Sequence, residues 1–135
     1  MFKRFVQAAI CGMILASSAL AFAQPSPSGL IAIAAPRYDL SASVEGRPGQ
    51  SPMFLLFDKQ GKFIEAVANP YNDAKGNAGI PTVDFLKTKG VAVVVAGRVG
   101  SQIVDVMKTK GIQPVEFNGS VKDAVKRAVE LGKKQ

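Results

Sequence analysis

The chain contains no histidine and no tryptophan, one cysteine (Cys11), two tyrosines, and only 10 acidic residues against 17 lysines and arginines. Each shortage removes a class of chemistry. Without histidine there is no imidazole general base and no imidazole metal ligand. A single cysteine allows no intrachain disulfide and no pair of thiolates to hold a metal. The acids stand singly, Asp58, Asp84, Asp105 and Glu116 among them, so no pair is spaced for general acid–base work, and no serine sits in a nucleophile elbow. Nothing in the sequence argues for an enzyme. The basic excess favours anionic partners. The lysines are scattered, however, and few aromatics interleave with them, which argues against a nucleic-acid surface.

The first 23 residues carry an export pattern. Lys3 and Arg4 form a positive n-region, "FVQAAICGMILASSALAF" an apolar h-region, and Ala21-Phe22-Ala23 an A-x-A cleavage site. The alternative is an uncleaved anchor helix, but an apolar run of about 18 residues sits at the lower limit for a span, and Gly12, Ser17 and Ser18 weaken it. Cleavage after Ala23 removes Cys11 and places the protein in the periplasm or outside the cell, with no membrane contact afterwards. Gln24 to Gly29, "QPSPSG", reads as a linker. Residues 30–135 remain as one domain able to bury a single core.

Leu30 to Ala35, "LIAIAA", and Val91 to Ala96, "VAVVVA", are short unbroken apolar runs, as expected of strands buried on both faces. "MFLLFDKQGKFIEAVANP" predicts a hairpin of Met53 to Asp58 and Lys62 to Asn69. Helical patterns follow at Gly79 to Lys89 with Pro81 in the first turn, at Ser101 to Lys110, and after Ser120. Ile112 to Phe117 reads as a further strand. The order β-β-β-α-β-α-β-α predicts an α/β fold, a mixed five-stranded sheet with three flanking helices. Its first and fourth strands should lie centrally, bringing the long loop Arg37 to Pro52 against Gly97 to Ser101, where ligands of open α/β sheets bind.

Gly97-Arg98-Val99-Gly100-Ser101 combines backbone N–H groups, a helix N-terminus, a hydroxyl and a guanidinium, the parts of an anion site. The plainer reading is that the glycines turn the chain and Arg98 is solvated. Lys75-Gly76-Asn77-Ala78-Gly79 enters the preceding helix in the same way, with Lys75 a second counter-charge. Arg37, Arg47 and Gln50 of the long loop could join the same cavity. Met53 and Met107 are the thioethers left after cleavage. Core packing is the expectation for both, although Met53 follows the loop and could reach soft Cu(I).

"IAIAAP", "EGRPGQSPMFLLFD", "GNAGIPTVDFLKTKGVAVVVAGRVG" and "MKTKGIQPVEF", taken in this order and spacing from Leu30 to Leu131, resemble the dinitrogenase iron-molybdenum cofactor biosynthesis family. The resemblance implies a ribonuclease H-like fold and a non-enzymatic carrier of anionic metal-sulfur clusters. It also implies a ligand site at Gly97, Arg98, Val99 and Gly100, at Arg47 beside Gly46, and at Gly79. Where many members have a histidine just before the helix-opening glycine, this chain has "KGNAG". A molybdenum-, iron- or copper-containing sulfide cluster would therefore be held non-covalently, on backbone amides, Arg98 and Arg47, with no metal ligand from the protein. The other class of function open at this point is a ligand-free interaction module for another envelope protein, its pocket degenerate.

Overall fold

Three apolar runs of five or six residues set the architecture: β1 (Leu30–Ala35), β2 (Met53–Phe57) and β4 (Val91–Ala96). The computed structural model describes residues 29–72 and 78–133, so the export segment, residues 24–28 of the linker and Lys75 lie outside the described residues. β3 (Phe63–Ala68), α1 (Gly79–Thr88), α2 (Ser101–Thr109), β5 (Gln113–Glu116) and α3 (Val121–Lys133) complete the order read from the sequence. Among the described residues no helix is long and apolar enough to cross a membrane.

The sheet runs β3-β2-β1-β4-β5. β1 pairs antiparallel with β2 and parallel with β4, and β4 pairs parallel with β5. Alternation along each central strand feeds two separate clusters. Leu30, Ala32, Ala34, Phe54, Leu56 and Val94 pack against Val83 and Leu86 of α1 and Met107 of α2. Ile31, Ile33, Ala35, Leu55, Phe57 and Val95 face Val121, Ala124, Val125 and Ala128 of α3. Covering both faces explains why the runs are continuously apolar. Pro114 falls on the edge strand β5, where a missing N–H costs no ladder bond on the open side. The described core draws on residues from Leu30 to Leu131, so a chain beginning at Gln24 keeps every described element.

Two local readings differ from the sequence pattern. Ile80, apolar and in the first turn of α1, is nonetheless 42% exposed. The inward stripe is instead Thr82, Val83 and Leu86, at helical spacing. Thr82 faces in because its hydroxyl donates to the buried carboxamide oxygen of Asn69 at 3.2 Å. The long loop Arg37 to Pro52, polar in sequence, is tied down along its length. Val44 N–H donates to Gly119 O at 2.8 Å and Val121 N–H to Ala42 O at 2.9 Å, and Ser43 bridges to Ser120. At its start the hydroxyl and N–H of Ser41, with Arg37 beside them, hold the Asp39 carboxyl below the usual carboxylate range.

Candidate functional site

β1 and β4 are parallel neighbours whose chains leave in opposite directions, β1 toward β2 and β4 toward β5, which makes the end of this pair the switch point of the sheet. The long loop returns across that point. Glu45 N–H donates to Ala34 O at 2.8 Å, Gly97 N–H to Glu45 O at 2.8 Å, and Arg98 N–H to Gly46 O at 2.6 Å. The loop thus continues the sheet beyond both strand ends. Gly97 has a packing reason to lack a side chain, since a Cβ there would lie 3.2 Å from the Gly46 Cα and 3.1 Å from the Asn118 carboxamide oxygen.

Beyond this junction lies a cleft of about 400 Å³. Three segments form it. Arg47 and the 3-10 turn Pro48–Gln50 make one wall, Ala78 and Gly79 at the start of α1 a second, and Arg98, Gly100, Gln102 and Ile103 at the start of α2 the third. Among the described residues no side chain caps either helix at its N-terminal residue, Ala78 or Gly100, and the positive end of each dipole, equivalent to about half a charge, lies at the cleft. Among the described residues no carboxylate lines it, and neither Arg47 nor Arg98 has an ion-pair partner.

The residues singled out in the sequence divide accordingly. Arg47, Arg98, Gly100, Gly79 and Gln50 meet at the cleft. Gly97, Val99 and Ser101 do not line it. The Val99 side chain is buried and its N–H donates to the Glu116 carboxylate at 2.8 Å, so the N–H groups of Gly97, Arg98 and Val99 are all engaged inside the protein. The amides left for a ligand begin with the helix itself. Arg37 pairs with Asp39 on the surface, outside the cleft. Met107 is fully buried in the core and Met53 packs half-buried on the α3 side of the sheet. Among the described residues no cluster of three metal-ligating side chains occurs.

Sequence reasoning did not identify what holds the cleft in shape. Asn69, 4% exposed, donates from Nδ2 to the carbonyls of Gly49 at 3.1 Å, Ser51 at 3.0 Å and, more weakly, Pro48 at 3.4 Å. Its Oδ1 accepts from Tyr71 N–H at 3.0 Å and from the Thr82 hydroxyl. The Ser51 hydroxyl, wholly buried, reaches Met53 O at 2.7 Å and Ala35 O at 3.2 Å. One carboxamide thus links the 3-10 turn to α1, two of the three walls. An asparagine before a proline reads as a strand end, and only burial reveals this role.

Contact between the walls is close. A Cβ on Gly49 would lie 2.7 Å from the Gly79 nitrogen and 2.9 Å from the Ala78 carbonyl carbon, both backbone atoms that cannot move aside. Gly49→Ala is accordingly expected to cost about 1–3 kcal/mol. Urea unfolding measures this, and a wild-type midpoint would show that the turn and α1 are not packed as described.

The family model described as dinitrogenase iron-molybdenum cofactor matches residues 29–131. No curated protein matches the chain. Among solved structures, the apo form of the orange protein from Desulfovibrio gigas is similar at 26% identity and a TM-score of 0.69, over 78% of this chain and 91% of that one. A protein from Thermotoga whose NMR structure is assigned to NifB and the DUF35 family is similar at 28% identity and a TM-score of 0.59, over 78% and 88%. PH0822, at 21% identity and a TM-score of 0.62 over 75% and 90%, shares the fold.

Proposed function

Because the chain belongs to the dinitrogenase iron-molybdenum cofactor family, we propose that it is an exported carrier that holds an anionic metal-sulfur cluster, or a related oxyanion, non-covalently between Arg47 and Arg98. The observation that carries this reading is the convergence, among the described residues, of two unpaired guanidinium groups and two helix N-termini without side-chain caps on one cleft that no described carboxylate lines. Two full charges and two half-charges together suit a dianion or trianion. The volume of about 400 Å³ is within the range of small-ligand sites, about 300–1,000 Å³. Gln50 and Gln102 add neutral amides that can donate to sulfide or oxide. No His or Cys lies between Gln24 and Gln135, so the cargo would keep its own metal-sulfur bonds intact and exchange only its solvation shell for protein N–H groups. Binding rather than turnover suits a cleft whose described lining holds no carboxylate or imidazole to move a proton.

Anaerobic titration of Gln24 to Gln135 with tetrathiomolybdate, with and without Cu(I), tests the reading through charge-transfer bands and metal stoichiometry after desalting. Stoichiometric retention is the expected result. Failure to retain either species would end the carrier reading and leave a module that contacts another envelope protein. For export, the expected result is a periplasmic or secreted form whose N-terminal sequence begins at Gln24. Recovery of the intact N-terminus from the cytosol would overturn it.

A further inference from the structure

A second cavity, of about 600 Å³, opens at the opposite end of the sheet, where β1 and β4 begin. Its walls are the β2–β3 hairpin turn and the last two turns of α3. The hairpin leans on that helix: a Cβ on Gly61 would lie 3.2 Å from Val129 and 3.3 Å from Val125. Ile31, Val93, Ala128 and Val129 supply an apolar floor, and Gly29 and Gly132 leave its rim without side chains. Lys59 stands on one side, its chain laid across Gly29, and Lys133 on the other. Among the described residues neither has an ion-pair partner and no carboxylate lines the cavity. The carbonyl end of α3 contributes about half a negative charge here, less than the two ammonium groups.

An apolar floor under two unpaired cations is the complement of an amphipathic anion, and the volume is ample for one. We propose that this cavity is a second ligand site, for a free monocarboxylate with a linear apolar tail, whose carboxylate sits between Lys59 and Lys133 and whose tail lies along Ile31, Val93 and Val129. The inference does not depend on the carrier reading, because the two cavities share no residue. The flexible four-carbon lysine stems reach a small carboxylate without demanding fixed geometry, whereas the Arg47–Arg98 cleft offers planar donors and helix amides to a multiply charged ion.

Octanoate is the probe, titrated calorimetrically into Gln24 to Gln135, with octanol as its neutral counterpart. One saturable site is expected. Lys59→Glu should weaken it about tenfold or more. Gly132→Phe should abolish it by filling the cavity; the position is exposed with open space around it, so the helix tolerates the side chain. Arg98→Ala should give the wild-type octanoate curve, and Gly132→Phe should leave tetrathiomolybdate retention unchanged. The proposal is overturned by the absence of saturable binding, by octanol binding as tightly as octanoate, or by octanoate binding that Arg98→Ala removes and Gly132→Phe spares.

Discussion

Arg98→Ala is expected to weaken tetrathiomolybdate binding by roughly ten- to hundredfold, the equivalent of the about 1.5–3 kcal/mol carried by hydrogen bonds to a charged group. The magnitude belongs near the lower end at high salt, because Arg98 is exposed and its charge is screened over about 10 Å at 0.1 M. The helix N–H groups at the mouth of α2 survive the exchange, so binding should weaken rather than vanish. Arg98→Lys should fall between, since it restores the charge but not the planar fork. Arg47→Ala, on the facing wall, should produce a loss of similar order, and the double variant a larger one. Arg37→Ala is the control: its guanidinium is engaged with Asp39 outside the cleft, and the titration curve should not change. Equal affinity in the wild type and the Arg47→Ala/Arg98→Ala double variant would refute the placement of the anion between these two residues.

The largest loss of stability is expected at Asn69. Asn69→Ala strips the Gly49 and Ser51 carbonyls and the Thr82 hydroxyl of a buried partner, and about 2–4 kcal/mol should disappear from the unfolding free energy. Asn69→Asp is the sharper experiment. It preserves shape and the acceptor toward Tyr71 and Thr82 but replaces the Nδ2 donor by a second oxygen, which then faces the carbonyls of Pro48, Gly49 and Ser51. An ionised carboxylate there lacks donors on one side, so Asn69→Asp should be at least as damaging as Asn69→Ala at neutral pH. It should recover part of the loss at acid pH, where protonation restores a donor. Paired urea titrations at neutral and acid pH measure both effects. An Asn69→Asp protein as stable as the wild type at neutral pH would mean that the carboxamide donor does not hold the turn. Both variants should also loosen tetrathiomolybdate binding without touching it, since Arg47 precedes the turn that Asn69 holds.

Strand identity in β1 and β4 was legible because each run has to be apolar on both faces, and so was their central place as the parallel pair at the switch point. The hairpin was legible as well, through Gly61 at a φ of +90° and Asp58, whose carboxylate accepts from Gln60 and Lys62 N–H groups. These are local demands, and local residue types meet them. The family resemblance followed from the same pieces in order, and the match over residues 29–131 carries it.

Ile80 and Thr82 show where local pattern ends. By hydropathy Ile80 should be inside and Thr82 outside. A buried carboxamide on another element reverses them, because a polar group inside the protein has to find a partner and Asn69 finds Thr82. The glycines of the 97–100 turn divide for a similar reason. Sequence alone presents two equivalent residues flanking an arginine. In the fold Gly97 is pressed against Gly46 and Asn118, while a Cβ on Gly100, at the helix mouth, would meet nothing within 4 Å.

What the sequence by itself determined, then, is the set of elements, their order, and the presence of cations beside glycines in a chain whose predicted mature part has neither histidine nor cysteine. Hydrophobic periodicity and composition carry that much because they act within a few residues of chain. What only the tertiary structure decided is which of those groups share a cavity: Arg47 with Arg98 at one end of the sheet, Lys59 with Lys133 at the other. Each pair is separated by more than 50 positions in sequence. Strand pairing and buried hydrogen bonds bring its members together, and both exist only once the chain has closed on itself.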